Sequence, residues 1–341
     1  MKKLKFLLYP LSVIYNIYSS FRNLLFDLGI IDSIEYKIPT IGIGNLSTGG
    51  TGKSIIVDYL IEKFKKNKKI TTLSRGYNRK TRGFVHATVR TNAYEIGDEP
   101  FQFFSKHPEI NVVVCEDRRK GMNIILKNLS DTELCIWDDV FQHRFVKPGL
   151  MILSTTFQYP FYKDEILPIG TLRENKDSSK RADIIVVTKC PIDMQINEKE
   201  SFIQSLNPLD NQKVFFSTLS YSQKIKSDVD QRNIDTLAES DFILVTGIAD
   251  SSYLVKFLKS KFFNFKHLKY SDHYNFNNPS IDRIRSLSSG KKILTTEKDF
   301  GRLKPKISDR DIYYIEVSIQ FSSEVNDFNF DKTISEYINQ N

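Results

Sequence analysis

One stretch of this sequence sets the expected fold: Gly44-Asn-Leu-Ser-Thr-Gly-Gly-Thr-Gly-Lys-Ser54. An apolar run, residues 38–43, precedes it, and a helix-like segment, residues 55–64, follows it. A strand, a glycine-rich loop, a Lys-Ser pair and a helix in that order are typical of a loop that binds phosphate. The sequence therefore predicts an α/β fold with a phosphate-binding loop between an early strand and the following helix.

Each residue type in this loop has a physical role in holding phosphate. The glycines let the backbone turn tightly and point N–H groups at phosphate oxygens without a Cβ in the way. We expect Lys53 to reach the β- and γ-phosphates of ATP and the Ser54 hydroxyl to bind Mg²⁺. The residues predicted to contact the nucleotide are Ser47, Thr48, Gly49, Gly50, Thr51, Gly52, Lys53 and Ser54.

The loop departs from the strict G-x-x-x-x-G-K-[ST] pattern in one position. Ser47 stands where that pattern has its first glycine, so the loop is closer to the G-G-x-G-K form of some ATPases. The alternative interpretation is a glycine-rich turn that carries an incidental Lys-Ser. The apolar run before the loop and the helical pattern after it favour the phosphate-binding interpretation.

Composition limits the classes of partner and compartment. The net charge of +8 suggests an anionic partner, which could be a nucleotide, a nucleic acid or an anionic membrane surface. No helix-turn-helix, zinc or RNA-binding signature supports the nucleic acid, so we expect none as a partner. The three cysteines, Cys115, Cys135 and Cys190, lie in apolar strand-like runs and indicate buried thiols in a reducing compartment.

The N-terminal segment has the pattern of a helix at a membrane surface. Residues 1–5 are basic, residues 6–18 are mostly apolar, and a second apolar stretch at 21–31 carries Arg22 and Asp27. Neither stretch has the 18 or more uninterrupted apolar residues that a spanning helix needs. Tyrosines and flanking cations suit the headgroup boundary of anionic lipid, so we favour an interfacial helix. The alternatives are a helix packed on the domain, and a signal sequence or membrane span.

Apolar runs alternate with helix-like stretches along the rest of the chain, as in parallel sheets. A polar connector follows residue 206. We predict an interfacial helical segment at 1–36, a domain at 37–206 and a smaller C-terminal α/β domain at 207–341. The domain at 37–206 is predicted to have the P-loop nucleotide-hydrolase fold, a mostly parallel sheet with helices on both faces.

Three motifs that contain aspartate are candidates for chemistry, each with a simpler explanation. Asp138 and Asp139 end an apolar strand, where an aspartate holds Mg²⁺ or its water in nucleotide-binding sheets; an Asp pair that caps a turn is the alternative. Asp98 lies in Gly97-Asp-Glu-Pro100, and residue types alone favour a helix N-cap there. Asp272 and His273 could form a general-base pair or a surface loop.

These motifs and three others occur together in the order and approximate spacing of one family. Because of these motifs, the chain resembles the tetraacyldisaccharide 4'-kinases, which are the lipid A pathway kinases of Gram-negative bacteria. The resemblance extends from the N-terminus to about residue 305. The motifs are Gly44-Asn-Leu-Ser-Thr-Gly-Gly-Thr-Gly-Lys-Ser54, Ser74-Arg-Gly-Tyr77, Gly97-Asp-Glu-Pro100, Asp138-Asp-Val-Phe-Gln-His143, Leu167-Pro-Ile-Gly-Thr-Leu-Arg-Glu174, Asp272-His273 and Thr295-Thr-Glu-Lys-Asp299.

The resemblance implies transfer of the ATP γ-phosphate to the 4'-hydroxyl of a lipid A disaccharide 1-phosphate, which gives lipid IVA. It implies that Asp98 is the general base, assisted by His273, and that Lys53 acts on the transferred phosphate. The residues expected to line the metal and γ-phosphate region are Asp138, Asp139, Arg173 and Glu174. The expected Mg²⁺ ligands are Ser54, Asp138, Asp139 and Glu174, and Arg173 is expected to contact the nucleotide.

The same resemblance places the protein at the cytoplasmic face of the inner membrane, as a peripheral or monotopic protein without an obligate protein partner. The alternative function is a membrane-associated ATPase switch of the G-G-x-G-K type without lipid kinase activity. Such switches typically carry a lysine where this chain has Thr48, and they give no reason for a second domain with Asp272-His273.

The chain departs from the family pattern at four positions. Val140 and Asn78 stand where glycine is usual; we expect no positive φ at Val140, whereas asparagine tolerates the left-handed region. Ile55 replaces a usual proline. Tyr274 replaces a frequent second histidine, which puts any role for a histidine pair in doubt.

Overall fold

The computed structural model describes residues 2–307, 311–322 and 329–340, with side chains from Leu7 onward. It divides into two compact units, which are described separately. The first comprises Met1–Thr218 and Ile319–Asn341, and the second comprises Leu219–Ser318.

The first unit is built on a mostly parallel sheet in the order β8-β7-β6-β1-β5-β2-β4-β3. Neighbouring strands pair in parallel except β3, which runs antiparallel to β4. The strands are β1 Thr40–Gly44, β2 Ile70–Ser74, β3 Val85–His86, β4 Asn111–Val114, β5 Leu134–Asp138, β6 Leu150–Thr156, β7 Ile184–Thr188 and β8 Lys213–Lys226, of which residues 213–218 belong to this unit.

Helices connect and cover these strands. Those of the first unit are α1 Lys2–Asp27, α2 Lys53–Phe64, α3 Ala93–Ile96, α4 Asp98–Lys106, α5 Arg118–Asn128, α6 Ile196–Leu206 and α10 Phe330–Gln340, with short 3₁₀ turns at Phe161–Lys163 and Lys176–Arg181. Every residue of β1, β2, β5 and β7 is buried, as expected for parallel strands that are covered on both faces. The predicted α/β fold with a mostly parallel sheet is confirmed.

The second unit repeats the same architecture on a smaller scale. Its parallel strands, in the order β11-β10-β12-β13, are β10 Phe242–Thr246, β11 Phe265–Lys269, β12 Ile293–Thr296 and β13 Ile312–Phe321, of which residues 312–318 belong to this unit. Strand β9 Gln231–Asn233 pairs antiparallel with residues 224–226 at the end of β8, which also belong to this unit. Its helices are α7 Ser252–Ser260, α8 Asn278–Leu287 and α9 Glu297–Leu303, with 3₁₀ turns at Ile234–Leu237 and Lys304–Lys306. Alternate residues of β10 belong to two apolar clusters, one with α7 and one with α8.

The last helix belongs to the first unit, whereas the sequence predicts it as part of the C-terminal domain at 207–341. The Tyr337 hydroxyl donates to the Thr40 carbonyl at 3.0 Å and accepts from the Thr40 N–H at 3.1 Å. The Tyr59 hydroxyl of α2 donates to the Asp331 carboxylate at 2.6 Å. The apolar face of α10, which includes Phe330 and Ile334, is buried. The contacts of α10 with Thr40 and Tyr59 join segments that are distant in the sequence, so no local sequence pattern indicates them.

Helix α1 buries a polar stripe and exposes an apolar one. Ser12, Ser19 and Asn23 are buried, and the Ser12 hydroxyl donates to the Ile166 carbonyl at 2.9 Å. The exposed apolar side chains of α1 are Leu7, Tyr9, Leu11, Val13, Ile14, Ile17, Tyr18, Phe21 and Leu24. None of the described helices is long and apolar enough to cross a membrane. All three cysteines are buried free thiols, as predicted.

Candidate active site

The glycine-rich loop connects β1 to α2 at the carboxyl edge of the first sheet, where ligands bind in open α/β proteins. Gly52 is the N-cap of α2 and has φ +89°, which favours glycine. A Cβ at Gly52 would lie 3.2 Å from the Thr188 methyl group. The Thr188 hydroxyl in turn donates to the Thr51 carbonyl at 2.8 Å, so the end of β7 supports the turn.

Asn45 organises the inside of the loop. Its side-chain amide donates to the Ser47 carbonyl at 2.7 Å and to the Thr51 hydroxyl at 2.9 Å. Its Oδ1 accepts from Lys53 Nζ at 3.0 Å and also from the Arg173 guanidinium. Sequence reasoning missed Asn45, although its place directly after the first strand, inside the quoted stretch, was a usable signal.

The segment that ends in Arg173 lies against the glycine-rich loop. The Thr48 N–H donates to the Thr171 carbonyl and the Arg173 N–H donates to the Leu46 carbonyl, both at 2.7 Å. Ser47 and Leu172 form an isolated antiparallel bridge. These backbone contacts bring Arg173, which the resemblance assigns to the nucleotide, to the same place as Lys53.

Lys53 and Arg173 converge on Asp139. Lys53 Nζ lies 3.4 Å from Asp139 Oδ1, and Arg173 donates to both carboxylate oxygens, at 2.9 and 3.3 Å. Burial alone would raise the pKa of Asp139, but the two cations hold it well below its usual range. The site therefore gathers two fixed cationic groups around one ionised carboxylate.

The conformation of the turn after β5 explains why valine can replace the usual glycine at position 140. Asp139 adopts φ +48°, which aspartate tolerates better than most residues, while Val140 keeps a negative φ and is buried. The sequence-based expectation that position 140 needs no positive φ is confirmed. Asn78 has φ +59°, as expected for an asparagine that replaces glycine.

Asp138, at the end of β5, is a buried carboxyl group in an anionic setting. Within the described residues its Oδ1 has no hydrogen-bond partner. Burial, the Glu99 carboxylate and Asp139 together raise the pKa of Asp138 to about 7. Its carbonyl accepts from the buried Arg118 guanidinium at 3.1 Å, and burial lowers the pKa of Arg118 to about 10. An unpartnered carboxylate oxygen beside a second carboxylate is a suitable ligand position for a cation.

The described oxygen donors around Asp138 are too few to bind a metal that takes all its ligands from protein, but they are suitable for Mg²⁺. The Ser54 hydroxyl donates to Glu99 Oε1 at 3.0 Å. Among the residues that the structure describes, no group of three or more His, Cys, Asp or Glu side chains could hold a metal ion. Mg²⁺ usually takes one or two carboxylates and completes its shell with water and phosphate oxygens, so Ser54, Glu99 and Asp138 are sufficient. Sequence reasoning missed Glu99, which is adjacent to Asp98.

Glu174, which the resemblance places at the metal, is hydrogen-bonded to an arginine and an asparagine side chain. Its Oε2 accepts from Arg181 at 2.9 Å and from the Asn23 amide of α1 at 2.7 Å. The side chain is buried, and its second oxygen has no hydrogen-bond partner within the described chain. Glu174 thus links α1 to the segment that carries Arg173.

A cleft of about 440 Å³ opens beside these groups in the first unit. Helix α1 forms one side of it, and the loop after β2, the start of α4 and the loop after β5 form the others. Its lining residues are Tyr15, Tyr18, Ser19, Arg22, Ser74, Arg75, Gly76, Tyr77, Glu99, Pro100, Asp138, Asp139, Gln142, His143, Arg173 and Glu174. Burial, aided by Arg118, lowers the pKa of His143 to about 4.

Asp98 is the first residue of α4 and is partly buried. Gly97 occupies the N-cap position with φ +92°, and a Cβ there would lie 2.8 Å from the Tyr77 carbonyl oxygen. The helix-cap role that residue types alone favoured for Asp98 therefore belongs to Gly97. Asp98 is adjacent in the chain to Glu99, which lines the cleft.

His273 lies in the second unit, in the loop after β11, with φ +53°. Its N–H donates to the Gly247 carbonyl at 3.1 Å, and its Nε2 lies 3.9 Å from Asp272 Oδ2. The neighbouring Tyr274 ring packs against Tyr270 and Phe276. A joint role of His273 and Asp98 stays a prediction.

The glycine-rich loop, the convergent cations and the buried acidic strand end define a P-loop nucleotide-binding protein of the kinase type. The chain belongs to the tetraacyldisaccharide-1-P 4'-kinase family, whose model matches residues 4–336.

Individual relatives match over nearly their full length. The tetraacyldisaccharide 4'-kinase of Flavobacterium psychrophilum is 39% identical over 97% of this chain and 96% of its own. The tetraacyldisaccharide 4'-kinase of Flavobacterium johnsoniae is 36% identical over 100% of this chain and 99% of its own. A solved structure of LpxK from Aquifex aeolicus in complex with ATP superposes with a TM-score of 0.79 at 28% identity, covering 99% of both chains.

Proposed function

We propose that this chain transfers the γ-phosphate of ATP to the 4'-hydroxyl of a tetraacyldisaccharide 1-phosphate, forming lipid IVA in lipid A biosynthesis. The observation that carries the proposal is the convergence of Lys53 and Arg173 on one point of the cleft, 3.4 and 2.9 Å from Asp139 Oδ1. Phosphoryl transfer depends mainly on positioning and on neutralising phosphate charge, which two fixed cations supply.

The nucleotide phosphates would bind along the glycine-rich loop. Its backbone N–H groups and the N-terminus of α2 favour anions, and Lys53 opens that helix. Arg173 would contact the transferred phosphate beside Lys53, since its backbone is hydrogen-bonded to the loop. Asn45 would hold both cationic side chains at the loop, because its Oδ1 accepts from each of them.

We propose that Ser54, Glu99 and Asp138 hold Mg²⁺. The ion would neutralise phosphate charge and orient the phosphates. Of the other two predicted ligands, Asp139 lies between two cations and Glu174 is paired with Arg181, so we assign them to the orientation of Arg173 and of its segment. The unpartnered Oδ1 of Asp138 supports its place at the ion.

The acceptor hydroxyl requires a base. We assign this role to Asp98, which begins α4 next to the cleft-lining Glu99, with assistance from His273. We also propose that the second compact unit, which carries His273, is the smaller α/β domain of the enzyme. A carboxylate suits this task because it can accept the proton of the sugar hydroxyl as the new phosphate bond forms.

Helix α1 supports a location at the membrane surface. Most of its described apolar side chains are exposed, and its buried side chains are polar apart from Phe26, whereas a helix packed on a protein core buries mainly apolar side chains. Tyr15, Tyr18 and Arg22 of the same helix line the cleft. We propose that α1 lies in the cytoplasmic face of the inner membrane of a Gram-negative bacterium and presents the cleft to a lipid acceptor.

Acceptor-dependent turnover tests this proposal. Purified protein with ATP and Mg²⁺ in detergent should consume ATP rapidly only when the disaccharide 1-phosphate lipid is added. Hydrolysis at the same rate with and without the lipid would instead support the ATPase-switch alternative.

A further inference from the structure

The segment Thr295-Thr-Glu-Lys-Asp299 has no part in the proposed function so far, yet it contains a fully buried carboxylate. Asp299 Oδ2 accepts from the Gly247 N–H at 2.8 Å and from the Thr296 hydroxyl at 2.7 Å. Gly247 follows β10, whereas Thr296 ends β12 and caps α9. Asp299 therefore joins the carboxyl ends of two neighbouring strands in the second unit.

Arg302, one helical turn further along α9, completes this arrangement. Its Nη2 donates to Asp299 Oδ1 at 2.9 Å, so the buried carboxylate is matched by a mostly buried cation. Its guanidinium also donates to the Tyr274 carbonyl at 3.4 Å and to the Gly247 carbonyl at 3.5 Å. The pair thus reaches both the loop after β10 and the loop that contains His273.

Two groups hold the backbone N–H of His273: the Gly247 carbonyl and Asp272 Oδ1, each at 3.1 Å. His273 has φ +53°, a conformation that non-glycine residues rarely adopt without support. A Cβ at Gly247 would lie 2.9 Å from Asp299 Oδ1 and 3.4 Å from Tyr274 Cβ. Gly247 is therefore enclosed between Asp299 and the His273 loop, and its two backbone groups connect them.

We propose that Asp299 and Arg302 are positioning residues that set the backbone conformation, and hence the side-chain direction, of His273. The inference rests on the proposed function, in which His273 assists Asp98. Asp299 holds the Gly247 N–H, the Gly247 carbonyl holds the His273 N–H, and Arg302 fixes the next carbonyl along the loop. A displacement of about 1 Å at a reacting group can lower a rate about 100-fold, so loss of this support would reach the reaction.

A double-mutant cycle tests the inference. D299N and R302K are each made in the wild-type enzyme and in H273A, and kcat and the KM for ATP are measured with the lipid acceptor. We expect each substitution to lower kcat about 10- to 100-fold in the wild type, with the KM for ATP little changed. In H273A the same substitutions should cause no further loss, because the group that they position is absent.

The control is E316Q, which removes the charge of the Lys226–Glu316 ion pair elsewhere in the second unit. It should leave kcat unchanged, and thermal unfolding should show each variant to be folded at the assay temperature. R302K keeps the charge beside Asp299, so it remains informative if D299N does not fold.

The outcomes separate the inference from the proposed function. Equal losses of kcat in the wild-type and H273A backgrounds would refute the positioning role and leave the kinase proposal intact. An H273A enzyme with unchanged kcat would refute the assignment of His273 itself, and with it this inference.

Discussion

Replacement of Ile14 and Ile17 by serine should detach the protein from lipid bilayers. Both side chains lie one turn apart on α1, and 63% and 64% of their surface is exposed. Full burial of such a side chain is worth about 1.5–3 kcal/mol, so the exposed parts of the two together supply about 2–4 kcal/mol to membrane binding. The partition coefficient should therefore fall about 30- to 700-fold. Serine and isoleucine have similar helix propensity, so α1 should persist.

The assay is co-sedimentation with vesicles of phosphatidylethanolamine and phosphatidylglycerol, at several lipid concentrations. The matched control is I192S/I196S, which removes two exposed isoleucines at and before the start of α6. The control should sediment like the wild type. Unchanged sedimentation of the Ile14 and Ile17 double variant would refute the interfacial role of α1, and an equal loss in the control would show that the effect is not specific to this helix.

Three further predictions concern the site and its support. K53A and S54A should each lower kcat strongly while circular dichroism stays unchanged, because both side chains act on phosphate and metal; near-normal turnover in both would remove the phosphate-loop assignment. D98N should lower kcat about 10²- to 10⁴-fold with little change in ATP affinity measured by nucleotide titration, and an unchanged kcat would exclude a general base at this position. D58N should lower the free energy of unfolding at neutral pH by about 1–3 kcal/mol, since Asp58 accepts from the buried His107 at 2.7 Å. Burial opposes ionisation of Asp58, but His107 and Lys106 lower its pKa below the ordinary 3.8; its contribution is thus complete above that value and is lost as the pH falls through the lower pKa. Urea unfolding of wild type and D58N should accordingly converge in strong acid, and a constant difference would contradict the ionic part of the argument.

The features that the sequence predicted are those with a local signal. The glycine-rich loop and the buried parallel strands follow from residue types over about ten positions, and the structure contains both. The tolerance of Asn78 for a positive φ is equally local. The resemblance added Arg173, which lies about 120 residues from Lys53 and could not have been placed by spacing.

The features that the sequence did not predict arise from contacts between distant segments. Glu99 gains its role only because Ser54 meets it in the fold, and Asn45, whose place in the loop is a local signal, meets Arg173 only there. The return of α10 to the first unit depends on Tyr337 reaching Thr40, almost 300 residues away. No periodicity or motif encodes such pairings, so neither the domain bounds nor the partners of the buried charges could be derived beforehand.

The position of the added phosphate on the lipid tests the central claim most directly. Purified protein is incubated with ATP, Mg²⁺ and the tetraacyldisaccharide 1-phosphate in detergent, and the lipid is analysed by tandem mass spectrometry. The account predicts a product with one additional phosphate on the 4'-hydroxyl of the distal sugar, and no such product with K53A. Consumption of ATP that leaves the lipid unmodified, or a phosphate added at another hydroxyl, would contradict it.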